Sequence, residues 1–262
     1  MVMTVEQELT DVEFWDEYWS HFKLPISVDL SFSFDRCLAK VLKEQLIACS
    51  GGTVLEIGCA PGKWLAFLSN ELELKPNGIE YSNKGVVSTE RNFELLGLSY
   101  GRIVLGDFLS LRPECSFDVV ISLGFIEHFT NVDEIIEKHL EWLKQGGYLV
   151  LGVPNFRGIN FLIQAALDIS IIEKHNLDIM ELNYYRGVAE RNRLSIKYLN
   201  YLGSFEPALF IPRSRYILPL HFFIRGCLWW ARLIRRARWW DEVNGKLFSS
   251  YILAVFQKER LL

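Results

Sequence analysis

The amino-acid sequence predicts an α/β fold: a seven-stranded, mostly parallel sheet with helices on both faces and a last antiparallel strand pair. Three observations predict it. Short apolar runs of strand length alternate with stretches of helical periodicity between residues 53 and 153, the arrangement that places parallel strands under covering helices. The stretch VLEIGCAPGKW, residues 54–64, passes from alternating apolar residues through Gly58 into helix-forming residues after Gly62, and so reads as strand, glycine turn, helix. Half of the 262 residues are hydrophobic, enough to bury a large core in one elaborated domain and too many for a disordered or fibrous chain.

Each element follows in order. Thr10 and Glu13 form a capping-box pair, and Phe14, Trp15, Tyr18, Trp19 and Phe22 then recur at helical spacing until Pro25, giving a helix with one aromatic face. A second helix over 34–48 turns Leu38, Val41, Leu42 and Leu46 inward and stops at SGG, 50–52. Strands are predicted at 53–57, 77–81, 102–105, 117–123 and 147–153, with helices at 63–73, 84–96 and 132–143. Beyond Pro154, residues 155 to about 197 read as mostly helical, 202–210 as a strand, and SYILAVFQK, 250–258, as the final strand. The single domain thus divides into an N-terminal helical cap (1–50), a cofactor-binding core (51–155), a helical substrate-side segment (156–200) and a closing strand pair with an Arg/Trp-rich helical insertion (201–262). No internal repeat interrupts this order.

Composition narrows the setting. Five cysteines, at 37, 49, 59, 115 and 227, are odd in number and scattered, which argues against a disulfide framework or a structural zinc site; no metal-ligand set is read from the sequence. The first residues carry no basic, apolar leader, so a cytoplasmic location is expected, with peripheral contact at the inner face of the membrane as a second placement. Net charge is −4, yet residues 207–240 hold seven Arg and no Lys, Asp or Glu. That segment needs its own account.

The turn after the first strand decides the cofactor. A dinucleotide fingerprint laid on Gly58 needs glycines where Ala60 and Lys63 stand, and a Walker A loop needs a hydroxyl where Trp64 stands. Both readings fail. What survives is Glu56, Gly58 and Gly62 around a ligand without pyrophosphate, followed by Glu80 at the end of the next strand, placed to accept two ribose hydroxyls.

Five consecutive motifs here resemble those of the class I S-adenosylmethionine-dependent methyltransferases, which have a Rossmann-like fold: VLEIGCAPG (54–62), GIEYS (78–82), GDF (106–108), FDVVISLGFIEHF (117–129) and LKQGGYLVLGVPN (143–155). The likeness covers roughly residues 50–155 and departs from the common pattern at Ala60 and Pro61. It implies S-adenosyl-L-methionine as cofactor. It also implies that Gly58, Cys59 and Gly62 pass the methionine portion, with Glu56 and Ala60 also at the cofactor, Glu80 the ribose, Tyr81, Asp107 and Phe108 the adenine, and Ser122, Leu123 and Gly124 the sulfonium side. The expected activity is methyl transfer to an oxygen or nitrogen of a small-molecule, glycan or lipid-linked acceptor. A methyltransferase-like scaffold is the alternative. An RNA acceptor is weaker, because SLG at 122–124 lacks the acidic strand end of the ribose methyltransferases with an APG loop, and because the chain is acidic outside its Arg segment.

His128, directly after the fourth strand, is the leading candidate base, and His175 the second. The aromatic first helix, the loop 154–159 and the helices up to about residue 200 are expected to hold the acceptor. Residues 220–240 read as a basic amphipathic helix with His221, Arg225, Arg232 and Arg236 on one stripe and Trp at 229, 230, 239 and 240. It is too interrupted to span a bilayer. Packing on its own domain or forming a homodimer is favoured over docking at anionic lipid through 216–240.

Overall fold

A computed structural model describes residues 8–210, 226–227, 229–230 and 237–259. One seven-stranded sheet runs through it in the order β3-β2-β1-β4-β5-β7-β6. The strands are β1 Thr53–Ile57, β2 Lys75–Glu80, β3 Ile103–Leu105, β4 Phe117–Leu123, β5 Leu143–Pro154, β6 Leu194–Leu202 and β7 Tyr251–Lys258. β1 pairs in parallel with both β2 and β4, and β4 with β5, whereas β7 runs antiparallel to β5 and β6. The expected architecture, including its closing antiparallel pairings, is present.

Alternation along the strands sends side chains into two cores. Leu55, Ile57, Val120, Leu149, Leu151, Ile252 and Phe256 pack on one face, under α5 Val132–Glu141 and α7 Leu182–Arg191. Val54, Val119, Ile121, Val150, Leu253 and Val255 pack on the other, under α2 Ser33–Leu46 and α3 Lys63–Leu72. Because both faces are covered, the strands are apolar on both sides, as parallel sheets demand.

Two local readings change. The first helix, α1 Val12–Trp19, is capped by Asp11, whose carboxylate accepts from the Phe14 N–H at 2.8 Å, while Thr10 Oγ1 accepts from Trp15 Nε1 at 3.1 Å. The sixth strand lies at 194–202, not 202–210. Arg193 stands in the left-handed region at φ +52° and ends α7, so LSIKYLNYL leaves the helix and pairs along β7. Strand structure stops at Gly203, φ +66°, and Pro207 opens a short 3₁₀ turn, Pro207–Leu209. A residue with no N–H suits that turn and not a ladder. The segment 156–200 is therefore helical only as far as Arg191.

Residues 211–225, 228 and 231–236 lie outside the described residues, and with them His221, Arg225, Arg232, Arg236 and most of the predicted basic helix. Of its tryptophans, Trp229, Trp230 and Trp239 are exposed, and Trp240 Nε1 donates to the Phe205 carbonyl at 3.3 Å. Beside it, Arg36 holds Asp241 through two nitrogens, each at 2.8 Å. No described helix is long and apolar enough to cross a membrane.

Candidate active site

Strand order reverses between β1 and β4: one half of the sheet grows outward through β2 and β3, the other through β5. At such a point the loops leaving adjacent strands diverge and open a crevice at the carboxyl edge. The loops after Ile57 and Leu123 are the ones that part here. Gly58 at φ +69° and Gly124 at φ +78° make the two turns. A Cβ on Gly58 would stand 3.1 Å from the Phe125 ring, so the loop is packed to a tolerance that only glycine meets.

Two adjoining cavities meet at these turns, sharing Gly58, Ala60, Leu123 and Gly124 and both roofed by Tyr18 and Trp19 of α1. The first, of about 290 Å³, contains Glu80, Tyr81, Asp107 and Phe108 at one end and His128 and His175 at the other. The second, of about 410 Å³, contains Glu56, Cys59, Pro61 and Glu127. α1 is tied over them through Asp16, whose carboxylate accepts from the Ser82 hydroxyl and from the Lys84 N–H at 3.3 Å.

Glu80 is fixed by the backbone. One carboxylate oxygen accepts from the Ser82 N–H at 2.9 Å and the other from the Ala60 N–H at 3.1 Å. The side chain is buried, and burial raises its pKa despite these bonds. Asp107 is held in the same manner, by the Leu109 N–H at 2.9 Å and by the Ser110 hydroxyl. Glu56 is different: it is buried, its Oε2 has no partner, and burial followed by the charge of Glu80 raises its pKa well above the ordinary value. An unpartnered buried carboxylate oxygen is costly unless a donor arrives. A nucleoside carrying a diol and an ammonium group would fit this donor set: Glu80 offers a carboxylate that a diol could reach, and an ammonium would supply the hydrogen that Glu56 lacks.

Two residues expected at the cofactor do other work. Gly62 lines neither cavity; its φ is +79°, and a Cβ there would come within 2.9 Å of Phe93 and Thr89 on α4 Asn83–Leu96. It lets two helices approach. Ser122 is buried behind the site, 3.1 Å from His139 Nε2.

At the far end of the first cavity, His128 and His175 meet with ring centroids 4.7 Å apart, and Trp15 stands edge-on to His128 at 5.1 Å. His128 Nδ1 lies 2.8 Å from the Lys174 carbonyl and His175 Nδ1 2.6 Å from that of Ile171. A carbonyl oxygen only accepts, so each Nδ1 carries a hydrogen and each Nε2 keeps its lone pair. Burial, then the neighbouring His175, pulls the His128 pKa down to about 3, and burial lowers that of His175.

Three contributors escaped sequence reading. Glu127 is buried, with Oε2 unpartnered and its pKa pushed up to about 8 by burial; its place in the pair of residues after β4 was the available signal. Lys174 stands over the Phe14 ring at 4.1 Å and lines the cavity. Phe125 closes it beneath. Of the loop 154–159, Pro154 alone reaches a described cavity; Asn155 instead donates to the Ser249 carbonyl at 2.8 Å and pins β5 to the turn before β7.

Comparison with known proteins bears on the domain and its fold. Residues 54–147 match the family profile described as a methyltransferase domain. Over 100 residues, 38% of this chain and 28% of the relative, the sequence is 28% identical to (S)-coclaurine N-methyltransferase of Papaver somniferum. The chain spans 28–40% of the length of the curated relatives it matches. Among solved structures, a SAM-dependent methyltransferase from Thiobacillus denitrificans in complex with S-adenosyl-L-homocysteine superposes with a TM-score of 0.60 at 15% identity, covering 94% of this chain and 98% of that one. A coclaurine N-methyltransferase bound to N-methylheliamine and S-adenosylhomocysteine gives 0.52 at 12% identity, covering 84% and 70%. These likenesses show the fold. Residues 54–147 thus match a methyltransferase domain, and the solved structures share the fold of the sheet around it.

Proposed function

We propose that the protein transfers the methyl group of S-adenosylmethionine to an oxygen or nitrogen of a small, ring-bearing acceptor held under α1. One observation carries the reading: a single cavity contains Gly58, Glu80, Tyr81 and Asp107 at one end and the aromatic face of α1 with His128 and His175 at the other. A donor gripped by the first set has its reactive side toward the second.

The cofactor supplies a methyl group on a sulfonium, a good leaving group. The residues then have mainly to align the acceptor, and alignment alone provides effective molarities of about 10⁵–10⁸ M. Phe14, Trp15 and Phe129 offer ring faces and edges to a flat acceptor. His128 Nε2 receives the hydrogen bond of the acceptor's O–H or N–H and so positions the acceptor, while burial, which draws its pKa down to about 3, makes it a weak base. His175 stands second. The named N-methyltransferase relative keeps nitrogen acceptors in the screen beside hydroxyl ones.

The test is calorimetry with S-adenosylhomocysteine followed by turnover of labelled donor over a panel of phenols, amines and glycans. Micromolar product binding with transfer to one acceptor class is expected. Binding without turnover on any acceptor would leave a methyltransferase-like scaffold instead, and no binding would end the reading altogether.

A further inference from the structure

We propose that Glu127, His128 and His175 form a binding site for one divalent first-row metal ion, of the zinc or cobalt type, on the acceptor side of the cavity. The ligating atoms of all three lie within 4.8 Å of one another, and Glu127 Oε1 is 3.8 Å from His128 Nε2. A tetrahedral ion with bonds of about 2.0–2.2 Å needs ligand separations of roughly 3.4 Å, which small side-chain rotations supply.

The donor set is prepared for an ion in three ways. Each imidazole gives its Nδ1 hydrogen to a backbone carbonyl, of Lys174 and Ile171, the outer-sphere bond that fixes ring orientation and leaves Nε2 free to ligate. Glu127, 1% exposed, carries an oxygen with no partner. Two nitrogens and one carboxylate oxygen select borderline ions over magnesium or calcium. Two sequence-distant pieces, the 3₁₀ turn Ile126–His128 and the chain just beyond α6 Ile159–Glu173, converge to build the set.

Three protein ligands leave positions open, and His128 and His175 face the cavity, so the ion meets the acceptor. This deepens the methyltransferase reading and rests on it for the ion's role. With the ion bound, the Nε2 lone pairs of His128 and His175 are spent on it and no longer receive the acceptor's hydrogen. The ion instead makes a coordinated hydroxyl more acidic: its proton leaves to water, and the oxygen retains a lone pair for the methyl group, whereas an amine spends its one lone pair on the ion. The site therefore favours oxygen acceptors.

Chelator-treated full-length protein is titrated with Co²⁺ and then Zn²⁺, reading visible d–d absorption and metal content. One ion per chain is expected, with affinity reduced at least ~10–100-fold in both Glu127→Gln and His175→Gln; thermal melts confirm that each variant is folded. Binding well below one ion per chain, or folded variants that bind as the parent does, overturns the site. Turnover of hydroxyl acceptors falls at least ~10-fold on chelation and returns with Co²⁺; unchanged turnover overturns the contact with acceptor. Product affinity is measured on the same samples: retained S-adenosylhomocysteine binding without metal sinks the ion alone, while metal binding without S-adenosylhomocysteine binding sinks the methyltransferase reading.

Discussion

The two ends of the main cavity are built by opposite means. At the cofactor end, Glu80 and Asp107 are locked by backbone N–H groups within a few residues of the strands that carry them, or across one turn. At the acceptor end, side chains from α1, from the turn after β4 and from the end of α6 meet through rings, and Trp19 Nε1 and, in the adjoining cavity, Glu127 Oε2 are buried without partners. The contrast teaches that the carboxylates of the first end are fixed by the sheet edge itself, whereas the second end exists only after distant segments have docked.

Changes at the first end should strike cofactor binding and changes at the second should spare it. Glu80→Ala removes charge-assisted bonds of about 1.5–3 kcal/mol each to the ribose, so S-adenosylhomocysteine affinity is expected to fall about 10²–10³-fold by calorimetry; a loss below fivefold would break the assignment. Next in size is an effect on the scaffold behind both ends. His139, fully buried with its pKa pulled down to about 4 by burial, binds a proton more readily unfolded than folded. Its contribution to stability is whole above about pH 6.5 and is lost as pH falls toward 4, about 3 kcal/mol in all. Denaturant melts across that window should show the loss, and His139→Leu should reduce it, leaving the part that His128 and His175, also lowered by burial, contribute.

Trp15→Ala sharpens the comparison from the other side. It removes the edge contact to His128 and should raise acceptor KM about tenfold, worth ~1.4 kcal/mol, with product affinity held within threefold. A parallel loss of product affinity would show that α1 serves both ends alike. Smallest is Tyr81→Ala. The ring is 39% exposed, and loss of a stacking contact of ~0.5–1.5 kcal/mol predicts about three- to tenfold weaker product binding.

Legibility in the sequence follows the same divide. The edge of the cavity was readable because strand, turn glycine and acidic strand end are neighbours in the chain: Gly58 and Glu80 line it where spacing put them, and Asp107 where the resemblance put it. Gly62 shows the limit: a glycine required by Phe93 and Thr89 on a later helix looks in sequence like one required by a ligand. The sixth strand was missed because the apolar residues of 194–202 suit either period, and Arg193's left-handed backbone, which decides between them, leaves no mark in the pattern. Glu127 and Lys174 were missed because their roles depend on α6 folding back over the turn after β4.

One consequence of the sheet order concerns synthesis. β7 lies between β5 and β6 and hydrogen-bonds to both, yet it is the last strand made. From the emergence of Leu202 to that of Lys258, at ~5–20 residues per second, β5 presents a bare edge and β6 has no partner in the sheet for roughly 3–11 s. Until that strand arrives, the edge of β5 is open to any stray strand.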